Sequence, residues 1–199
     1  MRVVLVDAGG ANIGSVRYAL QRLGVDAELT ADAETITQAE RVILPGVSTA
    51  ATVMARLREQ GLVEALRHLR APLLGVCVGM QLLFEHSEED QTPCLGLLPG
   101  RVARLSEGLG VRVPHMGWNT LQPLRETPLL RGIAAGDHAY FVHSYAAPVT
   151  GDCIASSTHG QPFAAVVQRG HVAGAQFHPE RSSAVGARLI QNFIETGLA

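Results

Sequence analysis

The clearest local signal for chemistry is a cysteine flanked by glycines, Gly75-Val76-Cys77-Val78-Gly79. It joins an apolar run that predicts a strand to a segment that predicts a helix. A tight turn there exposes the side chain above the sheet edge, and the helix dipole favours a thiolate. The free amide of Val78 can bind a developing oxyanion. The segment predicts a nucleophile at Cys77, the alternative being a small buried cysteine beside glycines that only turn the chain.

A histidine and a glutamate two residues apart form the second signal, in Phe177-His178-Pro179-Glu180. The proline biases His178 towards an extended conformation, in which residues two apart point the same way. The carboxylate of Glu180 can then fix the tautomer of His178 and stabilise its protonated form. The alternative is a loop histidine beside a solvated glutamate.

Together the two motifs predict a Cys-His-Glu triad. Its members are distant in sequence, but open α/β folds bring such groups together at the carboxyl edge of the sheet. The histidines and cysteines have no metal-ligand spacing, and neither a dinucleotide fingerprint nor a phosphate loop is present. We therefore expect no metal and no cofactor.

The elements needed to position this triad follow from hydrophobic periodicity. We expect strands and helices to alternate and to form an open, mostly parallel twisted sheet with helices on both faces. Between residues 95 and 149, short strand-like pieces separated by Pro and Gly predict a smaller antiparallel portion. With no linker or repeat, residues 1–199 are expected to form a single domain. The expected strands are 3–6, 25–29, 41–44, 73–76, 101–105, 139–144 and 172–177, and the expected helices are 13–23, 49–69 with a break near 61, 80–85 and 184–194.

Composition excludes several classes of function. Hydrophobic residues make up 47% and charged residues 17% of the 199 positions, a balance typical of globular proteins. The net charge is -2, and the sequence has no run of basic residues that would indicate nucleic-acid binding. No apolar run is long enough for a membrane span. The three cysteines, Cys77, Cys94 and Cys153, are too few and too scattered for a disulfide framework, which favours a reducing, cytoplasmic location.

The chain resembles the class I, or triad-type, glutamine amidotransferases. The cysteine elbow and the His-Pro-Glu segment are shared by that superfamily. Two further segments, Pro114-His115-Met116-Gly117-Trp118-Asn119 and Phe141-Val142-His143-Ser144-Tyr145, resemble one branch of it. Members of that branch pass ammonia to a (β/α)₈-barrel cyclase of histidine biosynthesis, so the resemblance implies a heterodimer with such a partner.

The resemblance also implies a role for each residue that matches the family's motifs. Cys77 attacks the side-chain amide of glutamine, His178 transfers the protons and Glu180 orients His178, so that a glutamyl thioester forms and is hydrolysed. The amides of Val47 and Val78 hold the oxyanion. The positions implied for substrate binding are Gly46, Gln81, His143, Ser144 and Tyr145. The positions implied for partner binding are Asn12, Met116, Trp118, Asn119 and Tyr140. From residue type alone, Gln81 is more typical of an exposed helix face and Trp118 of a core.

The chain departs from the family pattern at two places. Ala8 and Ala11 replace an aromatic residue and a glycine near Asn12, and Ser48 replaces a glycine in the segment Pro45-Gly46-Val47-Ser48. If position 48 needs a positive φ, the serine costs roughly 1–2 kcal/mol there. We expect the loop still to turn an amide towards the oxyanion.

Three other functions remain open. The glutaminase subunit of pyridoxal phosphate synthase shares size and triad type, but it typically carries a Gly-Gly-Glu-Ser segment and lacks the tryptophan segment. A catalytically silent regulatory module of the same fold is disfavoured by the complete triad. A cysteine peptidase or γ-glutamyl hydrolase is disfavoured by the segments that resemble partner-facing ones.

Overall fold

The computed structural model describes residues 1–9 and 13–198. Its strands are β1 (Val3–Val6), β2 (Ala27–Thr30), β3 (Arg41–Gly46), β4 (Leu73–Cys77), β5 (His86–Ser87), β6 (Thr92–Pro93), β7 (Arg101–Arg104), β8 (His115–Thr120), β9 (Gln122–Pro123), β10 (His138–His143), β11 (Tyr145–Ala146), β12 (Cys153–His159), β13 (Gln161–Arg169) and β14 (Val172–Ala175). Its α-helices are α1 (Ile13–Arg22), α2 (Ala33–Thr37), α3 (Ala50–Glu59), α4 (Leu62–Arg67), α5 (Val78–Gln81) and α6 (Ser183–Thr196). Short 3₁₀ turns lie at Glu89–Gln91, Pro128–Leu130 and Pro179–Arg181.

The main sheet has eight strands in the described part of the chain, in the order β2-β1-β3-β4-β14-β13-β12-β9. The first five strands are parallel, and the last three continue the sheet in antiparallel pairing. The parallel strands β1, β4 and β14 are buried at every residue, which explains their unbroken apolar runs. The expected α/β class is confirmed.

The crossovers place helices on both faces of this sheet. The connection through α1 leads from β1 outwards to β2, whereas the connection through α2 runs back past β1 to β3. Right-handed crossovers in opposite directions put α1 and α2 on opposite faces. The connection through α3 and α4 runs in the same direction as that through α2, so these helices share the face of α2.

Several expected boundaries were wrong for identifiable reasons. The helix expected at 80–85 begins at Val78 and ends at Gln81, because the carbonyls of Leu82, Leu83 and Phe84 accept hydrogen bonds from residues 95–98 instead of from a further helical turn. The last parallel strand ends at Ala175 rather than 177. The long hairpin of β12 and β13 had not been expected. The break near Gly61 is confirmed, with φ +68° there.

A separate two-stranded sheet of β8 and β10 lies beside the main sheet and carries two of the segments that resemble the family. Its register pairs Trp118 with Tyr140 and His115 with His143. Phe141 on β10 is fully buried and packs edge to face against Phe163 and Phe177. Among the described helices, none is long and apolar enough to cross a membrane.

Candidate active site

Cys77 is the last residue of β4 and immediately precedes α5. Its backbone has φ +55° and ψ -115°, a combination that a residue with a side chain rarely adopts. Such strain costs about 1–3 kcal/mol and persists only where the surrounding structure enforces it. The predicted strand-to-helix elbow is therefore present in the structure, with the N–H of Val78 at the start of the short helix.

Three glycines make room for this elbow. A Cβ on Gly79 would overlap the carbonyl oxygen of Leu44, which is backbone and cannot rotate away. A Cβ on Gly75 would lie 2.5 Å from the Gly79 oxygen, and one on Gly46 would lie 2.8 Å from the Gly79 nitrogen. The strands β3 and β4 thus approach the elbow more closely than any side chain would permit. Gly46 pairs with Cys77 across these strands, which brings the following Val47 next to the nucleophile.

His178 and Glu180 meet at the turn that follows β14. His178 is extended, as the following proline predicts, and its Nδ1 lies 2.9 Å from Oε1 of Glu180. Both side chains are buried, with 9% and 1% of their surfaces exposed. Burial lowers the pKa of His178, but hydrogen bonds and charge interactions with Cys77 and Glu180 outweigh it and raise this pKa well above its ordinary value. The ring is thus suited to hold a proton between thiol and carboxylate.

Cys77 and His178 line a pocket of about 420 Å³. The pocket unites residues from the β3 loop, the elbow and the end of β10. Its lining residues are Val47, Ser48, Cys77, Val78, Gln81, Glu89, Pro114, Val142, His143, Ser144, Tyr145, His178 and Arg181. Except for Gly46, which pairs with Cys77 across β3 and β4, all residues expected to bind substrate or oxyanion line this space.

Gln81 is buried, so its assignment to an exposed helix face was wrong. Only 3% of its surface is exposed. Its Nε2 donates to the carbonyl of Tyr145 at 2.8 Å and to Oε1 of Gln176 at 3.0 Å. Because both amide hydrogens are used in this way, the carbonyl oxygen of Gln81 is the part left for a ligand.

Glu89 is a pocket residue that sequence reasoning missed. It lies in a 3₁₀ turn within a run of acidic residues, a pattern typical of a solvated loop. In the structure its Oε2 accepts a hydrogen bond of 2.7 Å from the N–H of Ala50 at the start of α3. This contact holds a carboxylate at the wall of the pocket, and no local sequence signal predicts it.

His143 lines the pocket but uses both ring nitrogens within the protein. Its Nδ1 lies 2.9 Å from the Tyr145 carbonyl, and its Nε2 lies 2.9 Å from Nδ1 of His115. Burial lowers the pKa of His143 to about 3 and that of His115 to about 4. Both rings are therefore neutral at pH 7.

Of the residues expected at a partner interface, Met116, Trp118 and Tyr140 lie on the outer side of the two-stranded sheet, whereas the Asn119 side chain points to the other side and contacts His115. Met116 and Trp118 are 63% and 53% exposed, so the core interpretation of Trp118 was wrong. The Trp118 ring contacts that of Tyr140 edge to face at 5.8 Å, and the guanidinium of Arg181 lies 4.4 Å from the centre of the Tyr140 ring. Asn119 is half-buried, and Asn12 lies outside the described residues.

Comparison with known proteins identifies the family to which the chain belongs. A family model for class-I glutamine amidotransferases matches residues 4–196, so the chain belongs to that family and is a glutamine amidotransferase. Among solved structures, a glutamine amidotransferase superposes with a TM-score of 0.77 at 24% identity, covering 99% of each chain. A glutamine amidotransferase from Thermotoga maritima gives a TM-score of 0.64 at 16% identity, covering 98% of this chain and 83% of that one. These two likenesses support the fold alone.

Curated relatives with high sequence identity share one name within this family. The imidazole glycerol phosphate synthase subunit HisH of Xanthomonas axonopodis pv. citri (strain 306) is 62% identical over 193 residues, covering 97% of this chain and 96% of that protein. The protein of the same name from Xylella fastidiosa (strain Temecula1) is 60% identical over 197 residues, covering 99% and 98%.

Proposed function

We propose that this chain acts as the glutaminase of an imidazole glycerol phosphate synthase, releasing ammonia from glutamine for a cyclase partner in histidine biosynthesis. One observation carries the chemistry: Cys77 at a strained elbow shares a pocket with His178, whose ring is paired with the buried Glu180. The identity of 60–62% over nearly the full length of the HisH relatives supports the particular synthase.

The reaction begins when His178 takes the proton of the Cys77 thiol and the sulfur attacks the amide carbon of glutamine. The resulting oxyanion is held by the N–H of Val78, with the N–H of Val47 as its second donor. His178 then gives its proton to the amide nitrogen. Ammonia departs, and a glutamyl thioester remains on Cys77. Water, deprotonated by His178, attacks the thioester, and glutamate departs as the sulfur is released. Glu180 keeps the His178 ring oriented throughout.

The amino-acid end of glutamine is recognised by the polar wall of the pocket. The Gln81 carbonyl oxygen, left over after its amide hydrogens are engaged, accepts from the substrate ammonium. The carboxylate of Glu89 adds charge complementarity at the same wall. Ser144 and Tyr145 complete the lining.

The partner is a (β/α)₈-barrel cyclase that binds the face formed by Met116, Trp118 and Tyr140. Exposed aromatic and methionine side chains are enriched at protein interfaces. A sealed contact there would keep ammonia from bulk water, where protonation would remove its nucleophilicity.

The decisive experiment measures glutamate release from glutamine by the purified chain, alone and with the cyclase and its nucleotide substrate. We expect strong stimulation by the loaded partner and its loss in Cys77→Ala. Cys153→Ala is the matched control, since this thiol is buried away from the pocket and burial raises its pKa to about 11. Activity that ignored the partner would favour another small glutaminase, and activity that survived Cys77→Ala would require a different nucleophile.

The alternative of a catalytically silent module has its own test. Iodoacetamide should alkylate Cys77 much faster than Cys94 or Cys153, because burial raises the pKa of the latter two thiols to about 11. Equal, slow alkylation of all three cysteines would favour the silent module.

A further inference from the structure

A continuous chain of hydrogen bonds runs from the partner-facing strand β8 to the pocket. Nδ2 of Asn119 lies 3.2 Å from Nε2 of His115, and Nδ1 of His115 lies 2.9 Å from Nε2 of His143. Nδ1 of His143 then lies 2.9 Å from the Tyr145 carbonyl, the same oxygen that accepts from Gln81. The two histidines are buried, with 4% and 6% of their surfaces exposed.

The donor and acceptor in each of these hydrogen bonds can be assigned from the two groups at the ends of the series, the Tyr145 carbonyl and the Asn119 amide. The Tyr145 carbonyl can only accept, so the proton of His143 is on Nδ1 and its neutral ring accepts at Nε2. His115 must therefore donate from Nδ1 and accept at Nε2. The NH₂ group of Asn119 supplies that last donor, and its orientation is settled because its Oδ1 accepts from the N–H of Thr120 at 2.8 Å.

We propose that His115 is a positioning residue for glutamine: through His143 it holds the Tyr145 carbonyl that orients Gln81, while Asn119 fixes the tautomer of His115. The inference rests on the proposed glutaminase function and adds to it a residue that touches neither the pocket nor the reacting atoms. It also gives His143 a structural task in place of direct contact with substrate through its ring nitrogens.

The physical reason lies in the buried acceptor on His143. Without a donor from His115, Nε2 of His143 has no hydrogen-bond partner, a cost that the ring reduces by turning away from this position. That turn would withdraw the Nδ1–H donor from the Tyr145 carbonyl. Tyr145 would shift, and Gln81 would lose one of the two acceptors that orient its amide.

The cluster of His115, His143 and His159 is better explained by this series of hydrogen bonds than by a metal site. The His159 ring stacks on His115 at 4.1 Å, but Nε2 of His159 lies 2.7 Å from the carbonyl oxygen of Arg112. Within residues 1–9 and 13–198, no group of three potential ligand side chains is arranged to hold a metal ion. His159 is thus a neighbouring histidine that takes no part in this series of hydrogen bonds, which makes it a suitable control position.

The test compares His115→Phe with His115→Asn in the complex with saturating partner. Phenylalanine keeps the stacking but lacks the donor, whereas the amide nitrogen of asparagine occupies nearly the place of Nδ1 and restores it. Because a hydrogen bond contributes about 1 kcal/mol, we expect the KM for glutamine to rise about 5–10-fold in His115→Phe with kcat within about twofold. His115→Asn should return KM to near the wild-type value, and His159→Phe should leave it unchanged.

A second variant covers the case in which His115→Phe does not fold. Asn119→Leu keeps the approximate shape of the side chain but removes the donor to Nε2 of His115, so the tautomer that donates towards His143 is no longer enforced. The variant also loses the bond from Nδ2 to the Thr158 carbonyl. KM for glutamine should rise in this variant too, while the rate of Cys77 alkylation without glutamine stays at the wild-type value. An unchanged KM in whichever variant folds, or an equal fall of kcat and alkylation rate, would overturn the positioning role. Wild-type protein without glutamine turnover would instead overturn the proposed function.

Discussion

At the scale of single residues, we expect the charge of Glu180 to control the proton transfers proposed for His178. The carboxylate is 1% exposed and lies 2.9 Å from the imidazole, so its charge acts on the ring with little solvent screening. It is one of the two groups that raise the pKa of His178 against the effect of burial. Changes at Glu180 should therefore alter catalysis without removing any group that touches the substrate.

Replacing Glu180 by Gln keeps the shape and removes the charge. The pKa of His178 should fall, and the ring should become a weaker acceptor of the Cys77 proton. We expect kcat/KM for glutamine to drop about 100-fold or more. The measurement is the pH dependence of glutaminase activity in the complex. A profile and rate equal to wild type would show that Glu180 does not act on His178.

Ser48 carries less strain than the family pattern suggested. Its φ is not positive in the structure, so the cost considered for a serine at this position does not arise in this conformation. We expect Ser48→Gly to change glutaminase kcat by less than about threefold, since removing an unstrained side chain relieves nothing. Steady-state kinetics with the partner would test this. A gain of tenfold or more would mean that Ser48 impairs the oxyanion site and that the loop must adopt a positive φ during catalysis.

At the scale of elements, the nucleophile elbow depends on how closely β3 can approach α5. The two contact each other through backbone atoms, because Gly46 and Gly79 have no side chains to separate them. The strained φ of Cys77 is held in place by this contact. Glycine is required here for space, even though neither residue has a positive φ.

Gly79→Ala should therefore disturb the elbow directly. The new methyl group would overlap the Leu44 carbonyl, and the backbone must move to admit it. We expect a loss of about 1–3 kcal/mol in the free energy of unfolding and a large fall in Cys77 alkylation rate. Urea denaturation gives the first quantity and iodoacetamide labelling the second. Gly14→Ala in α1 is the matched control: nothing lies within 4 Å of its new Cβ, so a gain of about 0.5–1 kcal/mol is expected.

At the scale of the whole molecule, the exposed aromatic face should determine assembly. Trp118→Ala removes an exposed indole whose ring contacts that of Tyr140 edge to face. We expect affinity for the cyclase to fall by about 2 kcal/mol, roughly 30-fold, with the isolated fold unchanged. Leu124→Ala is the control, since Leu124 is also exposed, at 49%, but outside β8 and β10. Unchanged affinity and coupled turnover in Trp118→Ala would remove this face from the interface.

The buried histidine pair should make global stability sensitive to acid. The pKa values of His115 and His143 are lowered to about 4 and 3 by burial, whereas in the unfolded chain both are near 6.5. Well above pH 6.5 both rings are neutral in the folded and the unfolded chain. Between about pH 6.5 and pH 4 the rings gain protons mainly in the unfolded chain, so stability falls as the pH drops through this range. Between pH 7 and 5 the loss is about 2 kcal/mol for each ring.

Urea denaturation at pH 7 and pH 5 would measure this loss, and His115→Phe should reduce it by at least one ring's share. An equal loss in wild type and His115→Phe would mean that the pair does not titrate as its burial implies.

The parallel half of the sheet, the elbow at Cys77 and the pairing of His178 with Glu180 could be predicted from the amino-acid sequence alone. Unbroken apolar runs indicate strands buried on both faces. The glycines around Cys77 indicate backbone contacts too close for a side chain, and the proline after His178 indicates an extended conformation. These signals are local, because they arise from steric limits and burial within a few residues. The expected strands at 3–6 and 73–76 and the predicted elbow were therefore found within one or two residues of their places.

The rest of the pocket is built by contacts that exist only in the folded chain. Glu89 lies in an acidic run that looks solvated until α3 meets it, and Gln81 becomes buried through carbonyl partners 64 and 95 residues away. The pairing of His115 with His143 depends on the register of β8 against β10. Hydrogen bonds between distant segments leave no periodicity in either segment, so their partners are known only once the chain has folded.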